Sequence, residues 1–131
     1  MQKSAMVALI SCNKLLLLKR GDTAPWNPGK YCLPGGMVDE NESLIDCAIR
    51  ELYEETNIKI TPHHLYSMKV TNKSGNSRIV FICNYDDLYY VTLSWEHSEY
   101  RWASYQDTAS MNLSPGLPDT IKTLCHWGYL I

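Results

Sequence analysis

The sequence has no CxxC pair, no internal repeat, no low-complexity tract and no apolar run long enough to cross a membrane. Each absence closes off a class. The five cysteines (Cys12, Cys32, Cys47, Cys83 and Cys125) are odd in number and scattered, which points to reduced thiols in a cytoplasmic protein and not to a disulfide framework. None pairs with a histidine in a nucleophile arrangement, and no second histidine stands at ligand spacing from His97, which is read as a structural or surface residue. No linker separates two cores, so the 131 residues and 15.0 kDa are read as one domain, 1–131. A net charge of -2 gives no reason to expect non-specific binding to nucleic acid. The opening MQKSAMVALISC loosely mimics a lipoprotein signal, but its apolar run is short and LLLLKR follows at once. A hairpin explains the same residues.

What is present is an uneven charge. Between Asp39 and Glu55 stand seven acids (Asp39, Glu40, Glu42, Asp46, Glu51, Glu54 and Glu55) against Arg50 alone, so this stretch is net -6 and the remainder +4. A charge run is usually a solvated face; spacing has to decide. Residues 43–56 form the best helix, with Ser43 as cap, Asp46 as capping-box partner, and Leu44, Ile45, Ala48, Ile49 and Leu52 as one apolar stripe. On a wheel of about 100° per residue, with Glu51 at zero, Glu55 falls near ~40° and Glu54 near ~-60°. Three carboxylates therefore share one arc beside the apolar stripe. Such like-charge neighbours are mutually destabilising without a compensating cation. All-oxygen ligands favour Mg²⁺ or Mn²⁺ over zinc. Arg50 stands four residues before Glu54 and can orient a carboxylate with its planar fork.

Elsewhere, residues 4–12 and 14–20 read as a hairpin turning at Asn13-Lys14, and 21–30 as a loop punctuated by glycine and proline. Residues 31–38 are short extended pieces around Pro34-Gly35-Gly36. Strands are expected at 65–72 and 78–84, joined at Ser74-Gly75-Asn76, and again at 88–95 and 99–103. Pro118 opens a last helix to about Trp127, closed by Gly128. Strands dominate over one central and one terminal helix, so the fold class is α+β, a mixed α/β sandwich.

Gly36, Glu42, Arg50, Glu51, Leu52, Glu54, Glu55 and Ile58 match GX5EX7REUXEEXGU, the box of the Nudix family, where U is aliphatic. By residue usage, a chance match of its six defining residues in such a chain is of order one in ~10⁵. Asn57 departs from the pattern, standing where a glycine would end the helix; asparagine is the commonest substitute in that left-handed position. The resemblance implies a Nudix fold, with a central mixed sheet flanked by helices. It implies metal-dependent hydrolysis of a pyrophosphate bond in a nucleoside di- or triphosphate derivative, with a small-molecule nucleotide as partner. Carried over, Glu51, Glu54 and Glu55 are metal ligands for Mg²⁺, with Mn²⁺ as substitute, joined by the carbonyl of Gly35. Glu51 is a candidate base, Arg50 its orienter, and Glu42 a supporting carboxylate.

Trp95-Glu96-His97, with Trp102 six residues beyond Glu96, resembles a segment of MutT-like members in which a loop glutamate approaches the metals. Glu96 is therefore a further metal ligand or the alternative base, preferred to Glu99; a plain exposed loop acid is the competing reading. Lys19 and Arg20, ending the second strand, are candidates for phosphate contact. Trp26, Tyr31, Phe81 and Tyr85 could border the cleft and stack a base, although for each one alone core packing is the simpler reading. Size and the Glu96 segment favour a MutT-like (deoxy)nucleoside triphosphate pyrophosphohydrolase. The alternatives are hydrolysis of ADP-ribose or a nucleotide sugar, hydrolysis at an RNA 5′ end, and a non-catalytic nucleotide sensor. A monomer and a homodimer are both compatible with the sequence.

Overall fold

In the computed structural model of the chain, residues 3–71, 77–85 and 91–131 are described. β1 (Ser4–Ser11) and β2 (Lys14–Arg20) open the chain as an antiparallel hairpin. Its two-residue turn is Cys12-Asn13, at φ 51 and 60, one residue earlier than the sequence suggested. Both central residues then have positive φ, as a twist-matched tight hairpin requires. The two strands pair only at Ile10–Leu15 and Ser11–Lys14 and then part. β3 (Tyr31–Cys32) pairs with β2, and β4 (Gly35–Met37) pairs with β1, so the segment between them fills the gap. β5 (Leu65–Thr71), preceded by a 3-10 turn at Pro62–His64, and β6 (Ser77–Tyr85) form a second antiparallel pair. β6 runs parallel to β1 over its whole length, and β7 (His97–Ala103) lies antiparallel on β2. Among the described residues this is one mixed seven-stranded sheet.

The helices α1 (Leu44–Thr56) and α3 (Leu117–His126) cover opposite faces. Strand alternation explains why. Ala8, Ile10, Leu15, Leu17, Val80 and Ile82 point to one face and pack with Leu117, Ile121 and Leu124 of α3. Val7, Leu9, Leu16, Leu18, Phe81 and Cys83 point to the other and pack with Cys47, Ala48 and Leu52 of α1. The unbroken runs VALI and LLLL are thus strands buried on both sides. The arrangement is a mixed α/β sandwich, as the residue pattern predicts.

Three local expectations change. The strand expected over 88–95 is absent from 91–95, where Thr92 and Ser94 instead donate to the carbonyls of Thr56 and Glu55 at 3.0 and 3.3 Å. Residues 88–90 and the turn at 74–76 lie outside the described residues. A short α2 (Tyr105–Thr108), opened by a full Ser104–Asp107 capping box, is an element that the residue pattern does not predict. Ser43 caps α1 by accepting from the Asp46 N–H at 3.1 Å; Asp46 contributes that backbone group and not a reciprocal carboxylate bond.

α1 ends as its sequence requires. Asn57 is left-handed at φ 64, ψ 15, and its N–H donates to the Tyr53 carbonyl at 2.8 Å. Glycine there relieves side-chain strain but adds freedom to the unfolded chain, opposing effects of about 0.4–1 kcal/mol. Asn57→Gly is therefore expected to keep turnover within a few-fold and its melting temperature within about 3 °C of the parent. Asn57→Ala, which has no polar side chain suited to that region, should melt several degrees lower. Thermal scans of the pair check this; a collapse in Asn57→Gly would assign the amide a separate role.

Candidate active site

The acidic helix is organised by one cation. Arg50 directs Nε at Glu42 Oε2 (2.7 Å) and Nη2 at Glu42 Oε1 (3.0 Å), a two-pronged contact that fixes the guanidinium plane. Nη1 donates to Glu51 Oε1 at 3.1 Å and to Glu54 Oε2 at 3.1 Å, and Nη2 reaches the Met37 carbonyl at 3.3 Å. Asp39 Oδ2 lies 3.4 Å away, and the Asp39 N–H closes the loop by donating to Glu42 Oε1 at 3.0 Å. The Arg50 bond holds the Glu42 carboxyl well below its usual range, at about 2. In turn, Glu42 foremost raises the Arg50 pKa above its ordinary value.

Glu55 is treated differently. It is 3% exposed, wedged on the core side of the helix, and accepts from the Gly35 N–H at 2.7 Å. Burial pushes its pKa up to about 8, with Glu51 and Glu96 adding repulsion and the Gly35 bond opposing. Burial likewise raises the pKa of Glu51, against the pull of Arg50. His97 Nε2 lies 3.6 Å from Glu55 Oε2 and 3.8 Å from Cys32 Sγ. This is not an ion pair in effect: burial lowers His97 to about 4 and raises Glu55, so desolvation favours the neutral form of both. Burial also lifts the Cys32 thiol to about 12, leaving it inert as a nucleophile. His97 is thus structural, as expected, but it backs the most buried acid of the helix.

The two glycines before the helix have separate jobs. A Cβ on Gly35 would strike the backbone of Ala5 and Met6, and its φ of 153° is one that side chains rarely adopt. A Cβ on Gly36 would instead meet Glu51 Cδ and Oε1 at 2.5 Å. Gly36 therefore makes room for the Glu51 carboxylate. The donor set fits a hard divalent cation: Glu51, Glu54 and Glu55 would supply carboxylate oxygens from one helical arc, beside the turn that carries the Gly35 carbonyl. Among the described residues no three acidic, histidine or cysteine groups form a ready cage, because Glu51 and Glu54 are turned onto Arg50. Binding a cation would need them to rotate.

Arg20 and Trp26 do border the site. A cavity of about 130 Å³ is walled by Arg20, Trp26, Cys32, Gly35 and Glu55. Glu96, just before β7, acts electrostatically on both Glu51 and Glu55 and lines a neighbouring cavity of about 270 Å³ with Arg20, Trp26 and Trp95. Trp95 lines that cavity too, and its place beside Glu96 is the signal for it in the sequence. Three candidates fall elsewhere. Tyr31 packs against the core under α3, because its β3 position points it into that layer. Phe81 is core on the α1 face. Lys19 is engaged by Glu99 across the β2–β7 pair at 3.0 Å, and neither lines the two cavities. Tyr85 ends β6, and its side chain lies outside the described residues.

Gly36→Ala should therefore damage function more than folding. It is expected to cost at least about ten-fold in turnover by displacing Glu51, in line with the sensitivity of catalysis to ångström-scale misplacement. Gly35→Ala should lower the melting temperature substantially, because its clash is with backbone. Comparing turnover and thermal scans of the two variants checks the division; full turnover in Gly36→Ala would contradict it.

The NUDIX domain family model matches residues 1–124. An m7GpppN-mRNA hydrolase of Danio rerio is 40% identical over 62 residues, which is 47% of this chain and 21% of that protein. The mRNA decapping complex subunit 2 of Schizosaccharomyces pombe is 29% identical over 93 residues, 68% of this chain and 12% of that protein. The matched segments are thus a small part of those curated relatives. The crystal structure of a MutT protein from Methanosarcina mazei Go1 is similar throughout: 28% identity, TM-score 0.78, covering 96% of this chain and 94% of that one. With the family match running across residues 1–124 and the Gly36–Ile58 segment folded as loop, helix and loop, the chain belongs to the Nudix domain family.

Proposed function

We propose that this protein hydrolyses a pyrophosphate bond in a nucleoside di- or triphosphate derivative, in the manner of a MutT-like (deoxy)nucleoside triphosphate pyrophosphohydrolase. The observation that carries the reading is the Arg50 cluster: three carboxylates tied to one guanidinium, beside a fourth, Glu55, buried against the Gly35 N–H. A polyanionic diphosphate could not approach these acids unless positive charge stood between. Glu51, Glu54 and Glu55 with the Gly35 carbonyl would hold Mg²⁺, or Mn²⁺ in its place, which when bound polarises phosphoryl oxygens and lowers the pKa of the attacking water.

The protein's own residues divide the remaining work. Glu42 keeps both prongs of Arg50, so the guanidinium stays fixed when Glu51 and Glu54 turn away from it. Burial makes Glu51 a stronger proton acceptor than an exposed carboxylate, suiting it to take the water's proton. Glu96 reaches the same field from outside the helix, and is the alternative base or a further ligand. Arg20, bordering both cavities, supplies a cation for the phosphate chain. Hydrolysis at an RNA 5′ end is a second reading, supported by the likeness to the mRNA-cap hydrolase and decapping subunit. A sensor without turnover has no need of the full Arg50 set.

A panel of nucleotides incubated with and without Mg²⁺, with products identified by mass, tests the proposal. Turnover should vanish in EDTA and fall by at least about 100-fold in Glu54→Gln, a loss on the scale of one electrostatic or acid–base group. Glu96→Gln should lower kcat by about 10²–10⁴-fold if Glu96 is the base, with excess Mg²⁺ restoring the rate if it is only a ligand. Full activity in EDTA, or no nucleotide hydrolysed with Mg²⁺, would sink the reading.

A further inference from the structure

Trp26 and Trp95 are 75% and 92% exposed and lie on loops far apart in sequence, yet both line the cavity of about 270 Å³. Indoles are among the largest apolar side chains, and leaving two in water around one hollow forgoes burial that folding normally takes. Exposed apolar surface of this kind marks a contact. Both loops are also tied down. Arg20 Nε donates to the Trp26 carbonyl at 2.6 Å, and the Gly21 N–H donates to the Glu96 carbonyl at 3.2 Å, so adjacent residues anchor the two sides. Behind Trp95, the Ser94 N–H donates to the Glu55 carbonyl at 3.3 Å, which fixes that side to α1. The hollow is therefore set in place relative to the carboxylates.

Its position limits what could enter. Arg20 and Trp26 line both this cavity and the smaller one walled by Gly35 and Glu55, so the two spaces adjoin. At about 270 Å³ the hollow falls just below the ~300–1,000 Å³ of whole-ligand pockets, which suits one planar group of a larger ligand. Resting on the pyrophosphohydrolase reading, we propose that Trp26 and Trp95 form a two-sided clamp for the purine base of a nucleotide, with Arg20 at the junction where the phosphate chain leaves the clamp. Stacking strength grows with overlapped ring area, so bicyclic indoles on two sides favour a bicyclic base over a pyrimidine. Arg20 then holds two parts of the substrate in register: its Nε steadies the Trp26 loop while its charge faces the phosphates.

The test is calorimetric binding, with Mg²⁺, of the α,β-methylene analogues of GDP, ADP, CDP and UDP to the whole chain, with methylenediphosphonate as the base-free control. None of these ligands requires turnover to be read. Purine analogues should bind more tightly than pyrimidine ones. Trp26→Leu and Trp95→Leu should each weaken purine binding about 5- to 100-fold, the range set by the stacking of one base. Trp95→Phe should stay within a few-fold, and methylenediphosphonate should bind all variants equally. Purine affinity unchanged in both leucine variants, equal affinity for all four bases, or parallel loss of the base-free control would overturn the clamp. Tryptophan-dependent purine binding in a chain that hydrolyses nothing with Mg²⁺ would sink the reaction and leave the clamp standing.

Discussion

Everything in the site hangs on a single guanidinium holding mutually repelling carboxylates in place. Arg50 contacts Glu42, Glu51 and Glu54 directly and the Met37 carbonyl besides, so it joins the helix to the loop before it. Its two contacts with Glu42 are fixed by geometry, which a lysine could not reproduce. The cluster is nevertheless one positive charge among several negative ones. Hydrogen bonding satisfies the acids that face Arg50, while Glu55 is left to burial and a single backbone donor. A site stabilised in this uneven way is suited to accept a cation.

The sheet exists, in functional terms, to set that helix against a turn. β1 and β2 part after two pairs, and the β3–β4 segment entering the gap carries Gly35 and Gly36 under α1. Close approach there depends on hydrogen atoms in place of side chains: Gly35 lies against β1, Gly36 against Glu51. On the other side of the gap, the end of β2 places Arg20 beside Cys32, Trp26 and Glu55. The residues 91–95 add the last support by bonding to the final carbonyls of α1, which orients Trp95 and Glu96.

Much of this was legible in the residues, for identifiable reasons. The helical period puts Glu55 about 40° from Glu51 and between it and Ala48 at about 60°, so its burial follows from the same wheel that groups the acids. Asn57 in a left-handed cap, Gly128 at the end of α3 and the doubly buried leucines of β2 were readable because each depends on its immediate neighbours. What failed depends on register or on partners distant in sequence. The Lys19–Glu99 pairing needs the β2–β7 alignment, and Tyr31 needs the layer in which β3 lies. Val91 and Leu93 alternate like a strand and do pack on the α1 side, but the backbone around them bonds to a helix end. The proximity of His97 and Cys32 to Glu55 likewise appears only once β3, β7 and α1 meet.

A divalent cation bound at this site would engage Glu55, the most buried carboxylate of the helix. The Glu55 carboxyl, raised by burial to about 8 from an ordinary 4.5, favours its protonated form at neutral pH, and a cation taking it as a ligand would displace that proton. In the metal-free protein the native state therefore binds more protons than the unfolded state in that window, and Glu55 contributes stability that is lost as pH rises through 8. Calorimetric titration of Mg²⁺ at pH 7, in two buffers of different ionisation enthalpy, measures the proton directly. Release of about one proton per cation is expected, and no such release in Glu55→Gln. Mg²⁺ binding that frees no proton, or frees the same number in Glu55→Gln, would contradict it.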